Sequence, residues 1–253
     1  MKKLLLLFML LSLLGEAQTP TGGTARFATK AYQPQKMKDY LVTLTTGFGA
    51  MRFVLHDETP IHKANFIRLV DSSYYDGLLF HRIIEKFMVQ GGDPDSRTAV
   101  AGQALGNGDI GYLVPAELIP TLIHKKGALG AARNDRPDKA SSAVQVYFVQ
   151  GRTWNDEELQ KQIERGRARG SSHTFTDEQK QVYKTIGGTP HLDGNYTVFG
   201  QVIDGLAVID SIAKQPRNPK DRPVADIKMT MKGEWVKKKK ITKQYGYVFP
   251  VYP

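Results

Sequence analysis

Apolar and polar residues alternate over several short stretches of this chain, which is the pattern of half-buried β-strands. Residues 40–46 and 50–56 alternate on either side of a Gly-Phe-Gly turn at 47–49, and together they predict a β-hairpin. Further strands of similar length are predicted later in the chain, at residues 79–84, 87–90, 112–114, 127–132, 144–149, 196–203 and 227–235. Short strands at such close intervals are typical of an all-β framework.

Helical periodicity interrupts this framework in only two places. Thr59 and Pro60 offer an N-cap and a first-turn proline, and the apolar residues at 64–70 then fall on one helix face. Residues 206–213 have the same period after Asp204–Gly205. We therefore predict a mostly β fold, a closed eight-stranded antiparallel barrel capped by two α-helices.

Residues 152–188 differ from the rest of the chain because they are strongly polar and helix-forming. Asn155 with Glu158, and Thr176 with Gln179, have the spacing of a capping box, which marks the start of a helix. The segment is thus predicted to be a helical hairpin inserted between two strands of the barrel. Its composition leaves little apolar surface to bury.

Residues 1–17 have the plan of a secretory signal peptide. Two lysines precede an apolar run at 4–14, and Gly15 and Ala17 are the small residues that a signal peptidase needs. A membrane span takes about 20 apolar residues, so we expect cleavage after Ala17 and no stable membrane insertion. The mature protein would be exported, either to a periplasm or as a secreted protein.

The rest of the chain divides into three parts by composition. Residues 18–38 are rich in Thr, Gly, Gln and Lys, carry no apolar period and are expected to be a flexible tether. Residues 39–236 contain all the predicted strands and form the barrel domain. Residues 237–253 are a basic and aromatic C-terminal tail.

Charge and cysteine content narrow the classes of function. The chain has no cysteine, which excludes disulfides, a thiol nucleophile and a thiolate metal site. A formal net charge of +10 is compatible with nucleic-acid binding. Much of the excess lies in Lys237–Lys240 and Lys243, however, and an exported protein rarely meets nucleic acid. We favour a solvated basic tail and expect no nucleic-acid partner.

The densest motif in the chain is Phe80–Asp93, which reads FHRIIEKFMVQGGD. It resembles the signature of the cyclophilin family of peptidyl-prolyl cis-trans isomerases. Three later segments are similar to that family in the same order: GALGAAR at 127–133, AVQVYFV at 143–149 and HLDGNYTVFG at 191–200. The resemblance covers residues 39–151 and 188–235. It implies the cyclophilin-like barrel and catalysed rotation about Xaa-Pro bonds in proline-containing polypeptide clients.

This rotation requires no nucleophile, metal or cofactor, and we expect none of the three. The barrier to turning a peptide bond is about 18–20 kcal/mol, and no covalent bond changes. As the bond twists, the proline nitrogen regains its lone pair, so a nearby guanidinium stabilises the twisted state more than the planar one. Arg82 is the expected catalytic donor. Strand alternation would place it on the same face as Phe80 and Ile84, opposite His81.

The resemblance also implies an apolar groove that receives the proline ring. Phe87, Met88 and Leu192 are expected to form its floor. Ala132 and Tyr147 are expected to complete it, with Tyr147 where the family usually has Phe. Apolar residues at these positions would equally suit a core, so their role in binding is taken from the resemblance.

Two glutamines lie in otherwise apolar strands, where a buried amide must find a hydrogen-bond partner. Gln90 is expected to orient Arg82 and to share in catalysis. Gln145 is expected to contact the backbone of the substrate.

Three positions that are expected to bind substrate depart from the usual family pattern. Arg133 replaces Asn, His191 replaces Trp, and Tyr196 stands where many members have His. These changes leave open an alternative function, a proline-peptide binding module or holdase chaperone with little turnover. The intact Arg82 favours catalysis. A hydrolase has no support, because the chain has no cysteine and no Gly-x-Ser-x-Gly motif.

The inserted segment lies next to this groove in sequence order. It begins just after the Tyr147 strand and ends just before His191, so its base is expected at the edge of the groove. Long insertions beside a site are usually functional or disordered, and the capping boxes argue against disorder. We expect a lid or an arm that contacts client polypeptide, on a protein that is a monomer.

Overall fold

The strands and helices of the protein follow the predicted order along the chain. A computed structural model describes residues 26–28 and 30–250. In this part of the chain the strands are β1 (Lys38–Thr46), β2 (Gly49–Leu55), β3 (Phe80–Ile84), β4 (Met88–Gly91), β5 (Leu113–Val114), β6 (Ala128–Ala131), β7 (Ser141–Ser142), β8 (Val146–Val149), β9 (Val198–Asp204) and β10 (Thr230–Lys237). The α-helices are α1 (Pro60–Asp71), α2 (Asp156–Arg167), α3 (Asp177–Thr185), α4 (Leu206–Ala213) and α5 (Lys238–Tyr245), and short 3₁₀ turns cover Pro94–Thr98 and Pro190–Leu192. The signal peptide predicted at residues 1–17 lies outside the described residues.

Eight of the strands form one curled antiparallel sheet, in the order β10-β1-β2-β9-β6-β8-β4-β3. The predicted hairpin is confirmed, with β1 paired to β2 so that Leu44 lies opposite Met51. Strands β5 and β7 form a separate two-stranded sheet. The prediction of a mostly β fold with eight strands in the main sheet is confirmed.

The predicted closure of this sheet into a barrel is not made by strand pairing. Among the described residues, β10 and β3 stand at opposite ends of the strand order and share no ladder. The two edges meet only around the start of these strands. There, a single bridge joins Leu79 to Lys228, and the amide of Met229 donates to the carbonyl of Leu78 at 2.9 Å. The predicted closed barrel was wrong because the predicted strands at 79–84 and 227–235 included this short contact, whereas β3 and β10 begin after it.

Aromatic side chains fill the inside of the curled sheet. The ring of Phe53 makes edge contacts with Phe66 at 5.9 Å and with Phe148 at 5.4 Å between centroids. Helix α1 contributes Phe66, and α4 contributes Ile209, to the same buried cluster. The two predicted helices are therefore confirmed, and both pack on the core inside the curled sheet.

The inserted segment forms the two predicted helices, α2 and α3. Both capping boxes are present, at Asn155 with Glu158 and at Thr176 with Gln179. The helices have a small buried cluster of their own, separate from the core inside the sheet. It contains Ile123, Leu159, Ile163 and Tyr183, packed against Trp154, Phe175 and Val182.

Both ends of the described chain are more ordered than their composition indicates. The described part of the predicted tether lies against the domain, where Tyr32 stacks on Trp235 with 5.9 Å between ring centroids. The predicted basic tail contains α5, whose Ile241 is fully buried. None of the helices in residues 26–28 and 30–250 is long and apolar enough to cross a membrane.

Candidate active site

A pocket of about 290 Å³ opens on the outer face of the curled sheet, over β3, β4, β6 and β8. It gathers most of the residues that the sequence predicted for a proline groove. Those that line it are Arg82, Phe87, Met88, Gln90, Ala132, Arg133, Tyr147, Leu192 and Tyr196. Two predicted residues, Gln145 and His191, do not line it. The sequence pattern thus located the pocket but not every side chain around it.

A β-bulge at the start of β3 aims Arg82 into the pocket. Phe80 lies opposite Gly91 and Arg82 opposite Gln90, so His81 is an extra residue on its strand. As a result, Phe80 points into the core while Arg82 and His81 both face the pocket. The prediction that Arg82 shares a face with Phe80 was wrong, because strict alternation does not hold across a bulge.

The Arg82 guanidinium is only loosely paired. Its Nε lies 3.6 Å from Oδ2 of Asp221, and 42% of the side chain is exposed. Asp221 is bound more closely by Arg217, whose Nη1 donates to Oδ1 at 2.9 Å. Arg82 therefore keeps donor groups free to turn toward a ligand in the pocket.

The floor of the pocket is an apolar cluster on the outer face of β4 and β8. Met88, Tyr147 and Leu192 are buried in it, and Phe87 packs against it. His191 lies beside the floor, stacked on the ring of Phe87 with 5.5 Å between centroids. It supports the floor instead of contacting the pocket as predicted. Burial, aided by nearby positive groups, lowers the pKa of His191 to about 3, so the ring is neutral at pH 7.

The two predicted glutamines bind each other. Gln90 donates from Nε2 to Oε1 of Gln145 at 3.1 Å. Gln145 donates in turn to the carbonyls of Gly106 and Gly108, at 3.0 and 2.8 Å. Among the described residues, Gln90 makes no hydrogen bond to Arg82. Both amides find buried partners, as expected, but in this structure they hold the loop at 102–108 rather than Arg82.

This loop forms one wall of the pocket, and the sequence did not indicate that role. Asp93 holds it by accepting hydrogen bonds from the amides of Gly106 and Gly108. A side chain at residue 108 would collide with Asp93, since a Cβ there would lie 2.2 Å from Oδ1. The glycines therefore let the loop close tightly on the end of the signature motif.

Outside the loop at 102–108, four polar residues of the pocket were missed at the sequence level: His81, Asn218, Lys220 and Arg222. His81 is buried, and neither of its ring nitrogens has a hydrogen-bond partner in the described structure. Burial lowers the pKa of His81 to about 4. Its position inside the signature motif could have indicated it. The other three lie in a segment after α4 that has no distinctive pattern.

A serine–histidine–glutamate chain occurs elsewhere in the domain. His62 binds Glu117 through Nδ1 at 2.6 Å and Ser141 through Nε2 at 3.1 Å. Ser141 is only 1% exposed and is not among the residues that line the pocket. The serine cannot meet a substrate, so the arrangement gives no support to a hydrolase.

Comparison with known proteins identifies the family to which the sequence is similar. Residues 41–233 match the model of the family described as cyclophilin type peptidyl-prolyl cis-trans isomerase. Proteins named peptidyl-prolyl cis-trans isomerase from Staphylococcus haemolyticus and Staphylococcus aureus are 33% and 34% identical over 187 residues, which cover 74% of this chain and 86% and 87% of theirs. A Streptococcus pyogenes protein named as a bifunctional phosphatase/peptidyl-prolyl cis-trans isomerase is 37% identical, but the match spans only 37% of its length.

Solved structures show the same fold. A crystal structure of a Cryptosporidium parvum cyclophilin type peptidyl-prolyl cis-trans isomerase superposes with a TM-score of 0.55 at 21% identity, over 78% of this chain and 98% of the other. A second structure of that protein, in the presence of the dipeptide Ala-Pro, gives a TM-score of 0.53 at 22% identity. At this level of identity the likeness supports the fold alone.

Proposed function

The chain belongs to the cyclophilin-type peptidyl-prolyl cis-trans isomerase family and is an isomerase of Xaa-Pro bonds, and we propose that Arg82 is its catalytic donor and exported polypeptides its clients. The proposal about Arg82 rests on one observation. A loosely paired guanidinium stands at the rim of an apolar floor that can hold a proline ring.

Catalysis in this pocket would consist of binding a twisted bond more tightly than a planar one. The floor of Phe87, Met88 and Leu192 holds the ring, and Arg82 donates to the proline nitrogen as it becomes pyramidal. Each 1.4 kcal/mol gained in this way speeds rotation about tenfold. A single well-placed donor therefore accounts for a large part of the acceleration.

The variant Arg82→Ala tests this role. We expect its catalytic efficiency on a short proline peptide to fall by about 10²–10³-fold, the usual cost of one lost donor. Its affinity for the peptide should change little. The matched control is Arg52→Ala, which removes an arginine of similar exposure paired with Asp204 at 2.6 Å but outside the pocket. If Arg82→Ala turns over at the wild-type rate, Arg82 is not the donor. If the wild type binds the peptide without isomerising it, the chain is the alternative binding module.

The proposal about clients is supported by the signal-peptide pattern of residues 1–17. An exported isomerase would meet unfolded chains after translocation, when slow proline isomerisation limits their folding. N-terminal sequencing of the protein from its native cell should find a mature chain that begins at or near Gln18. A mature protein that retains Met1 would contradict export.

A further inference from the structure

A chain of buried hydrogen bonds joins the pocket floor to the inserted helices. The hydroxyl of Tyr147, whose ring lines the pocket, lies 2.8 Å from Nε2 of His124. Nδ1 of His124 lies 2.6 Å from Oδ1 of Asp193. Oδ2 of Asp193 accepts a hydrogen bond from the hydroxyl of Tyr183, in α3. The chain therefore runs from the pocket to a side chain that belongs only to the insertion.

The Asp193 carboxylate sets the direction of the hydrogen bonds that it receives in this chain. The Asp193 carboxylate can only accept, so Nδ1–H of His124 and the Tyr183 hydroxyl both donate to it. The backbone amide of His124 donates to it as well, at 2.8 Å. When the ring of His124 carries its only proton on Nδ1, its Nε2 accepts a hydrogen bond from the Tyr147 hydroxyl. One consistent arrangement thus satisfies all four side chains.

Burial makes each of these links sensitive to its neighbours. Tyr147 is 4% exposed, Asp193 2%, and His124 and Tyr183 are fully buried. A buried polar group that loses its partner cannot turn to water and keeps the full cost of its desolvation. Removing one hydroxyl should therefore alter the hydrogen bonds of its direct partner and also those of the following residue in the chain.

The insertion contacts the pocket wall from its far side. In the described part of the chain, no residue from 152 to 188 lines the pocket. Its cluster includes Ile123, the neighbour of His124, and Ser171 donates to the carbonyl of Asp193 at 2.6 Å. Asp193 follows Leu192 of the floor. The insertion therefore packs around the segments that hold Tyr147 and Leu192, which is not the position of a lid.

We propose that Tyr183 is a positioning residue for the isomerase, which sets the Tyr147 side of the pocket through Asp193 and His124. This inference rests on the proposed function of the pocket. The insertion thus stabilises the proline site from outside, and it does so through the hydrogen bond that the Tyr147 hydroxyl makes to His124. A Phe at residue 147, as is usual in the family, would have no hydroxyl and could not bind His124.

The variant Tyr183→Phe tests the proposal, because it removes only the hydroxyl. We expect KM for a short proline peptide to rise about threefold to tenfold, the range of one lost hydrogen bond. The value of kcat should change little, since the floor holds the planar and twisted forms alike. Tyr147→Phe should have a similar effect. The double variant should be no worse than the more severe single one, because both changes interrupt the same chain.

Trp154→Phe is the matched control. It removes a hydrogen bond from the same insertion cluster, from Nε1 to the carbonyl of Gly188 at 2.9 Å, and leaves every side-chain hydrogen bond between Tyr183 and Tyr147 in place. Its KM should equal that of the wild type even if its melting temperature falls. The proposal is overturned if Tyr183→Phe and Trp154→Phe have the same KM, or if the effects of the two tyrosine variants multiply.

Two further measurements test the proposal if Tyr183→Phe does not fold or if the wild type shows no isomerisation. If Tyr183→Phe does not fold, NMR of Tyr147→Phe should show shifted ring signals for His124 and Tyr183, and an unchanged Tyr183 spectrum would refute the coupling. If the wild type shows no isomerisation, the proposed function fails by itself. The coupling is then read from the dissociation constant for the peptide, which should rise in Tyr183→Phe and not in Trp154→Phe.

Discussion

Two buried histidines beside the pocket are held in the neutral form. His81 packs under the pocket next to Arg82, and its burial together with the charges of Arg82 and Arg222 lowers its pKa, which Asp93 only partly opposes. His191 lies against Phe87, and Arg165 and Arg169 add to the effect of its burial. An imidazolium at either position would be a desolvated cation next to other cations. Protonation of either histidine would therefore destabilise the folded protein.

These shifts predict how stability depends on pH. In the unfolded chain both histidines titrate near their ordinary pKa of about 6.5, while in the folded protein the values are about 4 for His81 and about 3 for His191. Below pH 6.5 the unfolded state binds more protons, so the free energy of unfolding falls as the pH falls. Each histidine should contribute about 1.4 kcal/mol per pH unit across its window.

Urea denaturation at pH 7, 6 and 5 measures this slope. The range stops at pH 5 because carboxylates begin to titrate below it. His191→Asn removes one titrating ring, so its stability should decline less steeply with falling pH than that of the wild type. An identical slope in the folded variant would mean that His191 is not protonated on unfolding in this range.

At the scale of elements, sequence reasoning succeeded where a local pattern determines the structure. The β1–β2 hairpin and the caps of α2 and α3 depend on residues within a few positions of each other, and each was predicted at its place. The signature motif likewise identified the pocket, because its residues lie on adjacent strands β3 and β4. Local alternation, capping and turn chemistry are all readable from a single sequence.

The features that the sequence missed depend on contacts between distant segments. The bulge at His81 arises from pairing with β4, and no residue type in the motif marks it. Helix α5 is rich in lysine and buries Ile241 in a cluster that β1 and β2 supply. The insertion was expected to reach toward clients, because its polar composition does not reveal that Tyr183 binds Asp193. Contacts between segments that are far apart in the sequence can be identified only in the folded structure.

At the scale of the whole molecule, part of the positive charge surrounds the pocket where substrate would bind. The chain has a formal net charge of +10. The charged residues that line the pocket are Arg82, Arg133, Lys220 and Arg222, and no Asp or Glu lines it within the described residues. Asp226 binds Arg222 at 2.9 Å, but Asp221 lies 3.6 Å from Arg82, and Asp135 lies 3.8 Å from Arg133. The rim therefore keeps a net positive field.

This field predicts a preference for proline peptides with acidic neighbours. A peptide with Glu beside the Xaa-Pro bond should have a kcat/KM about twofold to fivefold higher than the same peptide with Lys, the range expected for exposed ion pairs. The ratio should approach one at about 0.5 M salt, where the screening length is only a few ångströms. Lys220→Ala should reduce the ratio at low salt. Lys240→Ala, an exposed lysine of α5 that does not line the pocket, should leave it unchanged because its charge lies outside the rim. A ratio that is the same at low and high salt, or that falls equally in both variants, would show that the rim charges do not select the substrate.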